Sequence, residues 1–185
     1  MSSLKADFKE LIERIKHGRT IDYGGFEPVY YLIFPPEKII DVKRMTSAWV
    51  SLLENEGWKV NELSIFSEIK KILDEVPEWR KKMWSKVDPL KWNQLNEALR
   101  TVVVEDGKLL QSFKNKIEEL SSEPGSLILV TDLEALHPLT RIGQLESELI
   151  GLIKVPLVIL YPGIRSGESR LKFLGFYPED GNYRS

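Results

Sequence analysis

The chain predicts a single-domain α/β protein over residues 1–185, with a mainly parallel central sheet of about four to five strands flanked by helices. It resembles a P-loop-like sheet without a P-loop. Three observations predict this. Ser126-Leu-Ile-Leu-Val-Thr-Asp132 and Val155-Pro-Leu-Val-Ile-Leu-Tyr-Pro-Gly163 are almost continuously apolar rather than alternating, as central strands covered on both faces are. Stretches of helical periodicity separate the strand-like runs, and that alternation favours parallel pairing through right-handed crossovers. A length of 185 residues suffices for one well-formed core but not comfortably for two.

Leu4, Phe8, Leu11, Ile12 and Ile15 form one stripe, so the chain opens with an amphipathic helix that stops at Gly18. A connector from Arg19 to Glu27 leads to the first strand, Val29 to Phe34. Pro35, Pro36 and Glu37 then start a long helix, since proline suits a first turn and an early carboxylate suits the helix dipole. Its apolar positions run from Ile39 to Leu53, and Gly57 stops it. The second strand falls around Trp58 to Ile65. Residues 66–121 form a helical insertion: one helix from Phe66 to Val76, one from Asp88-Pro89 to Val103, and one from Lys108 to Leu120. Ser121 to Gly125 turn the chain into the third strand. Asp132 to Thr140 is a loop or short helical turn, Ile142 to Ile150 a helix, and Leu171 to Leu174 a short edge strand.

Composition narrows the function classes. With 42% hydrophobic and 29% charged residues the chain reads as a soluble globular protein. Its net charge of −2 leaves contact with phosphate to a local patch. Cysteine is absent, which removes disulfides, thiol catalysis and cysteine-bound zinc. No apolar stretch reaches the roughly 18 residues of a membrane span, and Lys5, Asp7, Lys9 and Glu10 interrupt any signal-peptide core. A cytoplasmic location is the expectation.

Motifs for nucleotide chemistry are incomplete. A P-loop needs backbone amides, a lysine and a hydroxyl residue after the first strand. Pro35 and Pro36 lack amide protons there, and Glu37 repels phosphate. Asp132 after an apolar strand has the form of a magnesium-binding carboxylate, against its plainer reading as a structural or capping residue. The turn from Tyr161 to Arg170, with its glycines, serines and arginines, is either an anion cradle or an ordinary surface loop. His17 and His137 have no nucleophile motif or ligand-spaced partner. In the stretch Trp79 to Trp92, the cations Arg80, Lys81, Lys82, Lys86 and Lys91 interleave with three tryptophans, a weak nucleic-acid patch. Against that reading, Val76, Trp79 and Met83 share helical spacing and are expected to pack inward, leaving the lysines as a solvated face.

Several ordered segments resemble a known family. Tyr30-Tyr-Leu-Ile-Phe-Pro-Pro-Glu37, Leu129-Val-Thr131 with Leu136-His-Pro-Leu-Thr-Arg141, Pro156-Leu-Val-Ile-Leu-Tyr-Pro-Gly163, Leu171-Lys-Phe-Leu-Gly175 and Asn182-Tyr-Arg184 resemble the BrxB family of bacteriophage exclusion (BREX) systems. The likeness spans Phe26 to Arg184. Two segments depart from it: Val130-Thr-Asp-Leu-Glu134 stands in place of a Leu-Thr-Gly-type loop, and the end lacks a doubled tyrosine before arginine. The resemblance implies a cytoplasmic component of antiviral defence from a family without an established catalytic activity, and neither a cofactor nor catalytic residues are expected. It also implies that the partners are other BREX components, foremost the alkaline-phosphatase-like PglZ protein or the BREX ATPase.

The resulting expectation is a non-enzymatic adaptor working through protein contacts, with nucleic acid bound only weakly or indirectly and no membrane contact. Partner-binding candidates are Pro35, Glu37, Arg141, Tyr161, Gly163, Arg165, Asn182, Tyr183 and Arg184, because arginine and tyrosine at strand ends offer large area with a polar handle. The alternative is a degenerate nucleotide-binding or DNA-contacting regulatory module.

Overall fold

Four strands run parallel in the order β1-β4-β3-β2: β1 (Val29–Phe34), β2 (Lys59–Ser64), β3 (Ser126–Thr131) and β4 (Leu157–Ser166). A fifth, β5 (Arg170–Phe173), pairs antiparallel with the far end of β4. These elements come from a computed structural model that describes residues 3–20, 28–149, 151–167 and 170–179.

Each face of the sheet carries its own core. Leu127, Leu129, Val158 and Leu160 point to one side, where they meet Phe8, Leu11, Ile12 and Ile15 of α1 (Leu4–Thr20) and Val42, Trp49 and Leu53 of α2 (Ile39–Asn55). Phe8 stacks on Trp49 with ring centroids 4.5 Å apart. The alternate residues Ile128, Val130, Leu157, Ile159 and Tyr161 point the other way, into a core with α3 (Ile65–Asp74) and α6 (Lys108–Ser121). Every residue of β3 is buried, as its unbroken apolar run requires. Glu68 is buried between these helices, where it accepts hydrogen bonds from Lys71 Nζ (2.6 Å) and Ser112 Oγ (2.5 Å).

The two layers follow from strand order. From β1 the chain crosses through α2 to the opposite edge of the sheet, and it then returns strand by strand through β2, β3 and β4. Right-handed crossovers running in opposite directions place their helices on opposite faces.

The outlying helices α4 (Glu78–Trp84) and α5 (Trp92–Arg100) contain no buried residue. Asp88 Oδ1 accepts a hydrogen bond from the Leu90 amide and caps the short turn between them. Here the helical spacing misleads: Val76 is buried, but Trp79 is 67% and Met83 56% exposed, because no element among the described residues covers that face of α4. The last helix, α7, is confined to Ile142–Glu146. β4 extends through Ser166, so Arg165 and Ser166 lie in a strand rather than in the expected turn.

Candidate functional site

The strand register brings the carboxyl ends together: Phe34 lies opposite Pro162, and Ser64 opposite Thr131. Outside these ends, on the α2 side, lies a cleft of about 230 Å³, between strands whose onward connections run to opposite faces. Open α/β sheets bind their ligands at such switch points.

Asp132 closes β3 in the left-handed conformation, φ 56° and ψ 36°, which aspartate tolerates better than most residues. That turn sends its carboxylate back toward β2, where Oδ2 accepts a hydrogen bond from Ser64 Oγ at 2.6 Å. Ser64 Oγ in turn accepts from the Ser67 amide at 3.1 Å and caps α3. From α2, Lys43 Nζ reaches Asp132 Oδ1 at 2.7 Å and Glu134 Oε1 at 2.6 Å. Thr131 Oγ1 donates to Glu62 Oε1 at 3.1 Å. Burial pushes the Asp132 pKa up, but hydrogen bonds from Lys43 and Ser64 and the nearby ammonium outweigh it and hold the carboxyl below its usual range. For Lys43 burial pulls down, and the bonds to Asp132 and Glu134 more than offset it, so its pKa is raised. The cleft therefore presents Glu62, Asp132 and Glu134 with one ammonium already shared between two carboxylates, a field that disfavours phosphate. Among the described residues, no group of three His, Cys, Asp or Glu side chains is placed to hold a metal.

Two large apolar side chains are exposed where the outer end of β4 meets the turn after β5. Ile164 is 50% and Phe176 64% exposed. A methyl group added to Gly175 would come within 3.2 Å of Ile164 Cδ1 and 3.9 Å of Pro36 Cγ, which places the turn after β5, the outer end of β4 and the segment after β1 side by side. Phe176 stacks on Tyr177 at 4.9 Å and meets His137 edge-on at 5.3 Å. His137 Nδ1 and Tyr177 Oη are hydrogen-bonded at 2.6 Å, and the Arg141 guanidinium lies 5.8 Å from the centre of the Tyr177 ring. Burial raises the Tyr177 pKa, against the opposing charge of Arg141.

Residues 60–185 match the family model described as BREX protein BrxB. The chain belongs to the BrxB family. No curated protein and no solved structure matches it. Membership makes it a component of BREX phage defence. The matched part holds Glu62, Asp132 and Glu134 of the cleft together with Ile164 and Phe176, whereas Lys43 and Pro36 precede it.

Within this BrxB-family chain the expected partner residues divide. Pro35, Glu37 and Arg165 are exposed at the carboxyl end of the sheet, and Arg141 is half-buried against Tyr177. Tyr161 and Gly163 are buried, which corrects their reading as contact residues. Tyr161 is fully enclosed between Tyr31 and Phe173, because β4 keeps its inward alternation to the end of its parallel pairing. Gly163 lies against Tyr161 and the Lys172 carbonyl and is no wall of a cleft shared with Asp132. Asn182, Tyr183 and Arg184 lie outside the described residues. In place of the anion cradle or surface loop read between Tyr161 and Arg170, the described residues form a strand pair, in which Glu179 accepts from Ser166 Oγ at 2.7 Å and from Arg170 at 3.2 Å.

Of the basic cluster, Arg80 lies over Trp84 at 5.4 Å and Lys81 pairs with Glu78 at 3.0 Å. Lys82, Lys86 and Lys91 are exposed and make no ion pair among the described residues. Sequence reasoning missed Lys43, Ile164 and Phe176. The adjacent aromatics Phe176 and Tyr177 after the last strand were a usable signal, whereas nothing local distinguishes Lys43 from any other exposed helix lysine. Among the described residues, no helix is long and apolar enough to cross a membrane.

Proposed function

We propose that this BrxB-family protein is a non-enzymatic assembly subunit of a BREX complex, engaging other BREX components through the carboxyl-end surface around Ile164 and Phe176. The observation that carries this reading is the exposure of those two side chains, Ile164 at the outer end of β4 opposite Lys172 and Phe176 in the turn after β5, with Pro36 near Gly175 between them and the Arg141 guanidinium over the adjoining Tyr177 ring. An apolar centre with a polar, arginine-bearing rim is how protein interfaces are composed. The cleft supports the same reading, since its carboxylates suit neither a nucleotide phosphate nor a phosphorylated substrate. The partners that fit first are the PglZ protein and the BREX ATPase, by the family resemblance.

Co-purification with the other BREX components tests it. Ile164→Asp and Phe176→Asp are expected to abolish association and phage defence while circular dichroism stays that of the parent. Undiminished association of both folded variants refutes the proposal.

A further inference from the structure

Two tryptophans face solvent in one short segment. Trp79 is 67% and Trp92 61% exposed, and Met83 and Leu90 of the same segment are 56% and 92% exposed. Indoles are ordinarily among the most buried side chains, and so large an apolar area left uncovered by the fold marks a binding surface. On α4, Lys82 lies on the same helix face as Trp79 and Met83, Lys86 follows in the turn after the helix, and Lys91 immediately precedes Trp92. From Glu78 to Trp92 five cations stand against Glu78 and Asp88, a local excess of positive charge on a chain whose net charge is −2. The two acids are engaged at home, Glu78 with Lys81 and Asp88 with the Leu90 amide.

We infer that the segment from Trp79 to Trp92 binds single-stranded nucleic acid, with unpaired bases stacking on the Trp79 and Trp92 rings and Lys82, Lys86 and Lys91 meeting phosphates. Flat aromatic faces interleaved with cations are what a flexible polyanion with exposed bases requires. A duplex hides its base faces and offers this segment phosphates alone, so the single strand is preferred. The objection from helical spacing, that Trp79 and Met83 belong to the core, does not apply to side chains more than half exposed. This surface lies on α4 and α5 and does not depend on the protein contacts proposed for the Ile164–Phe176 face.

The test uses the full chain and an oligothymidylate of about 20 nucleotides, read by tryptophan fluorescence and by anisotropy of a labelled strand. Saturable quenching is expected, with a salt slope near −2 if three lysines each neutralise about one phosphate of a single strand. Trp79→Ala and Trp92→Ala are each expected to weaken binding by on the order of 5- to 150-fold, the range for one lost base stack. Lys82→Glu combined with Lys86→Glu and Lys91→Glu is expected to abolish both binding and the salt slope. Neither helix buries a residue, so these variants keep the parent's circular dichroism. Absence of quenching at low salt, equal affinity for the matching duplex, or undiminished binding by both tryptophan variants overturns the inference. In the first of these outcomes the exposed face is a protein contact instead.

Discussion

Lys43 Nζ and Asp132 Oδ1 stand 2.7 Å apart across the mouth of the cleft, joining the second turn of α2 to the end of β3. The contact holds Asp132 in its left-handed turn from one side while Ser64 Oγ holds it from the other.

Replacing Lys43 with methionine is expected to cost about 1 kcal/mol near neutral pH, a modest figure because the lysine side chain is 47% exposed and screened by water. Its pH dependence has a definite sign. The Asp132 pKa is lowered on folding, so this stabilisation is complete above the ordinary 3.8 and is lost as pH falls through the folded value. The Lys43 pKa is raised, so the same stabilisation is complete below 10.5 and is lost as pH rises through the folded value. Urea denaturation of parent and variant at neutral and acid pH measures the gap. A gap that stays constant into strong acid would show that packing of the lysine stem, not its charge, was responsible.

Tyr161 and Gly163 are expected to govern folding rather than association. Tyr161→Ala removes a fully buried ring and is expected to cost about 3–5 kcal/mol. Gly163→Ala would place a Cβ 2.4 Å from Tyr161 Cε1 and 2.5 Å from the Lys172 carbonyl oxygen, a clash expected to cost about 1–3 kcal/mol. Arg165→Ala, on an exposed side chain, is expected to stay within about 0.5 kcal/mol of the parent. Thermal unfolding of the three variants ranks them, and a fully stable Tyr161→Ala protein would contradict this account of the core.

Calorimetric titration with ATP and magnesium is expected to give no binding heat. The first strand ends in Pro35, Pro36 and Glu37 instead of amide donors and a lysine, and the adjacent cleft carries Glu62, Asp132 and Glu134. A Kd tighter than about 100 μM would restore the nucleotide-binding alternative, since even 1 mM affinity corresponds to about −4 kcal/mol.

What the sequence by itself determined is what neighbouring residues decide. The unbroken apolar runs at Leu127 to Val130 and Val158 to Tyr161 announced strands covered on both faces, and the helical stripes of α1, α2, α3 and α6 follow the cores they enter. Proline and glutamate after β1 removed the P-loop without reference to any fold. Only the tertiary structure decided how these pieces meet. Helical spacing shows that Trp79 and Met83 share a face, but whether a face is covered depends on distant segments, and among the described residues none reaches it. A polar turn and a strand end look alike locally, so pairing with β5 was needed to place Arg165 in a ladder and Gly163 opposite Phe173, against the Lys172 carbonyl. Lys43 carries no mark in its own helix, because what distinguishes it is two carboxylates brought to its tip by a crossover that runs the full width of the sheet.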